Sequence, residues 1–150
     1  MSTSLTGSDV TIINDRILAD LADGDCVNLD PPNELATVKT GKNGNVIYAF
    51  NETGKEVTVT IRVLRGSADD KYLNGLMSSM KANFSSFVLL TGEFIKKVGD
   101  GEGNVTRDTY IMSGGVFTKN VGAKNNVEGD VEQSVSIYEL KFANAPRTLN

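Results

Sequence analysis

The stretch from Glu56 to Leu64 most limits what this chain can fold into. Val57, Val59, Ile61 and Val63 alternate with Thr58, Thr60 and Arg62. Successive side chains of a strand point to opposite faces, so a period of two over β-branched residues describes a strand with one buried and one polar face. Upstream, residues 35–40 and 45–50 are β-prone runs separated by Gly41-Lys42-Asn43-Gly44. Asn43-Gly44 is a strong hairpin turn because both residue types tolerate positive φ. With a second turn over residues 51–55, residues 35–65 are expected as a three-stranded meander.

The remaining elements are read from the same signals. Val10, Ile12, Ile13, Ile17 and Leu18 flank Asn14-Asp15, which predicts an early hairpin or bent strand. Residues 22–25 read as a turn before a short apolar segment at Val27 and Leu29, and Pro31-Pro32 interrupts regular structure there. One helix is predicted over residues 68–82. Ser67 and Asp70 have the spacing of a capping box, Asp69 and Asp70 suit the positive end of the helix dipole, and Tyr72, Leu73, Leu76, Met77 and Met80 share one face. That face is expected to pack on the sheet, the alternative being an adaptable methionine-rich binding surface. Strands resume at residues 87–90 and 94–95, with Gly92 marking a bulge or bend. A polar loop over residues 99–104 leads to a strand near 105–112, and Gly114-Gly115 is expected to break it before Val116-Phe117. The last strand is predicted over residues 132–142. Residues 1–8 and 144–150 are polar and carry no strand or helix signal, so they read as flexible arms of a single domain spanning residues 1–150. Strands, one helix, then strands again predict a mainly β fold, an antiparallel barrel or sandwich with one flanking α-helix.

Chemistry is sparse. The 150 residues contain no His, which removes the commonest general base and metal ligand. Cys26 is the single cysteine, so no intramolecular disulfide can form, and it reads as a small buried apolar residue. Asp100-Gly101-Glu102-Gly103-Asn104 spaces oxygen ligands at alternate positions, but Val105 stands where a calcium loop needs Gly, so an ordinary hairpin loop is expected. Gly41-Lys42 and Gly54-Lys55 lack the glycine spacing and following Ser or Thr of a phosphate-binding loop, and no serine stands in a nucleophile-elbow pattern. No catalytic residue, cofactor or metal is expected, and the chain is read as a non-enzyme. No apolar run is long enough to cross a bilayer, and the first residues show no basic-then-apolar leader. A net charge of −4 argues against nucleic-acid binding through a broad basic patch.

Four segments carry a resemblance. Asp9-Val10-Thr11-Ile12-Ile13-Asn14, Gly24-Asp25-Cys26-Val27-Asn28-Leu29-Asp30, Val38-Lys39-Thr40-Gly41-Lys42-Asn43-Gly44-Asn45-Val46 and Val59 through Asp70 resemble, in that order and over nearly the whole chain, the PhiTE-type tail tube family of contractile-tailed bacteriophages. The resemblance implies a structural virion protein with a barrel like that of other phage tubes and the type VI secretion tube. It implies hexameric rings stacked into a hollow tube, with sheath, tape measure and baseplate proteins as partners, assembly in the host cytoplasm, and transient non-specific passage of DNA through the lumen. Lys42, Asn43, Gly44, Glu52 and Lys55 are the candidate contacts between subunits or rings. Thr58, Thr60, Ser134 and Ser136 are the candidate lumen-facing residues. The alternatives are a monomeric small β-barrel that binds a ligand or partner, and a secretion-system tube protein.

Overall fold

A computed structural model describes residues 3–5, 9–22, 26–123 and 134–150. The first strands are β1 (Ser4–Leu5), β2 (Val10–Ile13), β3 (Arg16–Ile17) and β4 (Val27–Asp30), followed by β5 (Ala36–Thr40) and β6 (Val46–Phe50). A 3-10 turn (Glu52–Lys55) leads into β7 (Val57–Leu64) and then α1 (Ala68–Ala82). After a second 3-10 turn (Phe84–Ser86) come β8 (Leu90–Gly99), β9 (Val105–Phe117), β10 (Gly122–Ala123), β11 (Val135–Asn144) and β12 (Arg147–Leu149). Among the described residues the fold is mainly β, antiparallel, with one α-helix, as the element order predicts.

The large sheet runs β3-β2-β8-β9-β11-β7-β4. Residues 16–22 tie its two ends together. The Leu18 N–H donates to the Thr11 carbonyl on β2, whereas the Leu64 N–H donates to the Asp20 carbonyl and the Ala22 N–H to the Arg62 carbonyl, each at 2.9 Å. Leu21 also bridges Val63. One short segment thus leaves the β2 edge and lands on β7, closing the sheet into a barrel and covering edges that would otherwise offer unpaired backbone groups.

Alternation on β7 determines the core. Val57, Val59, Ile61 and Val63 are buried and oppose Phe142, Leu140, Tyr138 and Ser136 on β11. Ile13, Leu90, Met112 and Phe117 complete this inner face, and Leu73 and Met77 of α1 pack into it while Tyr72, Leu76 and Met80 lie at its rim. The helical stripe therefore packs on the sheet. Ser67 caps the helix by accepting the Asp70 N–H at 3.2 Å, and Asp70 returns the bond to the Gly66 N–H at 2.8 Å, one residue earlier than a standard capping box.

Several expectations need correction. The meander does not exist: β5 and β6 form their own two-stranded sheet, and β7 pairs with β4 and β11 instead. The 3-10 turn at Glu52–Lys55 redirects the chain, and a strand with a wholly apolar face gains more from the barrel core than from a hairpin exposed on both sides. Gly114-Gly115 does not break a strand, because β9 runs through both. A Cβ at Gly115 would approach the Phe142 ring to 2.4 Å, so this glycine is the seat on which Phe142 packs. Gly92 does mark a bulge, at the register shift between Leu90 and Gly92, but residues 87–89 precede the strand. The tail is not without structure: β12 pairs with β9, and Ser4–Leu5 pairs with Val98 and Gly99. Asn14 and Asp15 form the predicted turn with positive φ, 49° and 67°. The turn at residues 23–25, most of the N-terminal arm and the start of the last strand at residues 132–133 lie outside the described residues.

Candidate functional site

The β5–β6 hairpin is the most unusual surface of the molecule. Its loop is short: the Gly41 N–H donates to the Asn45 carbonyl at 2.7 Å and the Gly44 N–H to the Gly41 carbonyl at 3.0 Å. Only Gly44 of the Asn43-Gly44 pair takes a positive φ, 83°, which gives a three-residue turn closed by a left-handed glycine. Register places Ala36 beside Phe50, Val38 beside Tyr48 and Thr40 beside Val46 on one face, with Thr37–Ala49 and Lys39–Ile47 on the other. The first face is apolar but for Thr40, yet Tyr48 is 75% exposed, Phe50 58% and Val38 56%. A lone two-stranded ribbon is marginal in water, so such a face calls for a cover.

Among the described residues the ribbon is anchored at its base. The Asn51 N–H donates to the Leu35 carbonyl at 2.7 Å, and its side-chain amide reaches the Glu34 carbonyl and Thr37 Oγ1 at 3.2 and 3.1 Å. Gly54 packs so closely here that a Cβ would lie 2.7 Å from the Glu34 carbonyl oxygen. Lys55 pairs with Glu52 at 2.8 Å and its ammonium lies 5.8 Å from the Phe50 ring centroid. The five contact candidates therefore split, with Lys42, Asn43 and Gly44 at the tip and Glu52 and Lys55 at the root. Sequence reasoning on the turns missed the apolar face between them, although the alternation Ala36, Val38 and Val46, Tyr48, Phe50 is its signal. Beside the root lies an apolar cavity of about 360 Å³ lined by Leu29, Pro31, Leu35, Val57, Tyr110 and Pro146, among others.

The lumen candidates split as well. Thr58 and Thr60 stand on the outer face of β7, across from Lys141 and Glu139 of β11 and from Asp30 and Asn28 of β4. Two lysines near this face have acidic partners: Lys141 meets Glu56 at 2.9 Å and Lys119 meets Glu139 at 3.4 Å, and Arg62 shares the face with Thr58 and Thr60. Ser136 belongs to the opposite, inner face. It is buried and donates to Asp70 Oδ2 at 3.1 Å, so it does not share a surface with Thr58 and Thr60. Ser134 is exposed just before β11, where its carbonyl accepts the Arg65 N–H at 2.7 Å. Tyr138 lies beside Ser136 and donates to Asp70 Oδ1 at 2.6 Å; burial, then this bond, push the phenol well above its ordinary value.

Two carboxylates, one on the helix and one on the sheet, tie neighbouring segments to the barrel. Asp69, buried on the first turn of α1, accepts the Ala19 and Asp20 N–H groups at 2.6 Å each and the Arg16 Nε at 3.1 Å, so the helix clamps the closing segment. Asp108 of β9 receives Arg147 through two bonds of 2.7 and 2.8 Å, which staple β12 to the sheet and hold the Asp108 carboxyl below its usual range. The Asp100 loop is self-satisfied: Asp100 accepts from the Glu102 and Asn104 N–H groups at 2.7 and 3.1 Å and from the Asn104 side-chain amide at 2.8 Å. Among the described residues no group of three or more His, Cys, Asp or Glu side chains converges to hold a metal ion, and no helix is long and apolar enough to cross a membrane.

No protein-family model matches this chain, and no curated protein matches it. A solved structure does. A chain of the PVC sheath–tube complex, an extracellular contractile injection system in its extended state, is similar over 95% of this chain and 88% of that chain, with a TM-score of 0.61 and 12% sequence identity. The likeness extends over nearly the whole length of both chains, so the chain has a contractile-tail-tube-like fold.

Proposed function

We propose that this chain is a structural, non-enzymatic tail tube subunit of the PhiTE type, forming stacked hexameric rings inside the contractile sheath of a bacteriophage. The observation that carries the reading is the β5–β6 ribbon, which projects an uncovered apolar face from a barrel with the tube fold. A monomeric carrier has no use for that face, whereas a subunit buries it against its neighbours. On this reading the whole chain is one tube domain, the sheath protein packs outside, tape measure and baseplate proteins meet the tube, and DNA passes through the lumen.

The outer face of β7, with Thr58 and Thr60, is the proposed lining. Affinity for DNA grows with the number of phosphates neutralised, and Lys141 and Lys119 already have carboxylate partners. Such a wall lets a polyanion slide without gripping it.

Electron microscopy of concentrated purified protein tests the reading. Rings or tubes are expected from the native chain. A variant with residues 41–44 replaced by a two-residue turn, and a second with Tyr48→Glu, are expected to keep native circular dichroism and lose the polymer. A native chain that stays monomeric at high concentration refutes the proposal. The likeness to an extracellular injection system favours one second reading, a tube of such a system with no DNA cargo. Particles purified from the source cells that package DNA decide for the phage.

A further inference from the structure

The hairpin face has a counterpart elsewhere on the same molecule. On the outer side of the barrel, Ile17, Ile12, Glu93 and Ile111 lie directly opposite one another across β3, β2, β8 and β9, forming one row over four strands. Val10 and Ile95 continue the patch in the next row. Thr11 and Ile13, pointing the other way from β2, are buried in the core, so this row faces outward. Ile17 is 61% and Ile111 53% exposed. The Glu93 carboxylate, half-buried in the middle, has no hydrogen bond or ion pair among the described residues, and the carboxylate of exposed Asp15 stands at the rim without one.

We propose that the apolar face of the β5–β6 hairpin of one copy docks on the outer β3-β2-β8-β9 face of a second copy, with Tyr48 and Val38 over the isoleucine row. This rests on the reading of the chain as a self-assembling subunit and identifies which two surfaces meet. Chemistry matches on both counts. β-Branched side chains on a pleated surface accept an aromatic ring and a valine, and the contact removes both patches from water. Charge is complementary too: residues 36–50 contain no acid and carry Lys42 at the tip of the hairpin, with Lys39 on the ribbon's other face, while the receiving face carries Glu93 and Asp15. The cations of that face, Lys97 and Arg107, oppose each other two rows further toward the far end of β8 and β9, away from Glu93. Where the two patches do not pair reciprocally within two copies, the contact is heterologous, and a heterologous contact propagates into rings or filaments instead of stopping at a dimer.

Cysteine cross-linking tests the pairing. In a Cys26→Ser background, one preparation carries Tyr48→Cys and another Ile111→Cys, each checked by circular dichroism for native folding. Mixing them under mild oxidation is expected to give a cross-linked pair that neither preparation forms alone, and Glu93→Lys in the second is expected to cut its yield about tenfold or more. Where Ile111→Cys fails to fold, Ile17→Cys replaces it. Rings or tubes without a mixed cross-link, or with a Tyr48–Tyr48 cross-link instead, overturn this docking and leave the tube reading standing. A mixed cross-link without tubes supports the docking and counts against the tube, and a monomer with no cross-link overturns both.

Discussion

Asp69 is the residue on which barrel closure depends most directly. It is 1% exposed and holds two backbone N–H groups and the Arg16 guanidinium. Asp69→Ala leaves those N–H groups facing a cavity and removes the partner of Arg16. Hydrogen bonds to a charged acceptor contribute about 1.5–3 kcal/mol each, and breaking a buried charge network by removing one member costs about 3–5 kcal/mol. Arg16 is partly exposed and can turn to water, so the two backbone donors dominate and the upper end of that range is the ceiling. For a chain of this size each kcal/mol shifts the melting temperature by about 2–4 °C, which puts the loss at about 6–20 °C. Asp69→Asn keeps one acceptor oxygen and is expected to lose less, and Arg16→Ala less again, about 0–1 kcal/mol, as for other solvent-screened pairs. Urea and thermal unfolding give the order, and amide exchange locates it. The Ala22 and Leu64 N–H groups, bonded across the closure, should exchange faster in Asp69→Ala than amides at the centre of the β7–β11 pair. If Asp69→Ala melts with the native chain, or destabilises it without faster exchange at those two amides, the closing segment is not what the helix holds.

Alkaline conditions should weaken the fold through Tyr138. Its folded value lies above the ordinary phenol, so its contribution is complete below about pH 10 and is lost as pH rises beyond it, a slope that Tyr138→Phe should flatten in denaturation measured between neutral and alkaline pH. The Asp108 carboxyl is held low by the hydrogen bonds from Arg147, so its contribution is present above the ordinary carboxylate range and fades as pH falls through its lowered value; protection of the Asn150 and Arg107 amides, relative to intrinsic exchange at the same pH, should fall in acid, and at all pH values in Arg147→Ala. Gly115→Ala should destabilise by about 1–3 kcal/mol in urea unfolding, because the added methyl overlaps the Phe142 ring. Duplex DNA should bind assembled tubes weakly and with a shallow salt slope, while Glu56→Gln with Glu139→Gln, which frees Lys141 and Lys119, should steepen that slope.

Local signals were legible in the sequence wherever one residue type decides the backbone. Ser67 and Asp70 start the helix within one residue of the expected place, Asn14-Asp15 and Gly44 turn the chain, and the alternation on β7 marks its buried face before any partner is known. Pairing was not legible. β7 joins β4 and β11, more than twenty residues before it and more than seventy after it, and alternation says only that a face is buried, never against what. Glycine misled at residues 114–115 for a related reason: its use there is set by a ring from another strand, which backbone propensity does not contain. Asp69 was read as a helix-dipole residue, and its two tertiary bonds to residues 19 and 20 could not be inferred from helix rules.

The surfaces were harder to read than the core for a physical reason. A buried strand face announces itself by composition, because water excludes its alternatives. An assembly face must be apolar enough to associate and polar enough to stay dissolved until it does, so its pattern overlaps that of an ordinary edge strand. Ala36, Val38, Val46, Tyr48 and Phe50 read as any strand pair until the register shows them on one side and exposure shows that side open. The receiving row of Ile12, Ile17, Glu93 and Ile111 is less legible still, since its members come from four strands scattered over most of the chain. A charge placed among isoleucines with no side-chain partner among the described residues is a cost to the lone subunit, and on the proposed docking it turns into specificity when a lysine arrives from a second copy. On the proposed docking, the subunit is incomplete in two places that satisfy each other, and that asymmetry would separate a self-assembling barrel from a barrel that binds a small molecule, whose apolar residues would line an interior and not an exposed ribbon.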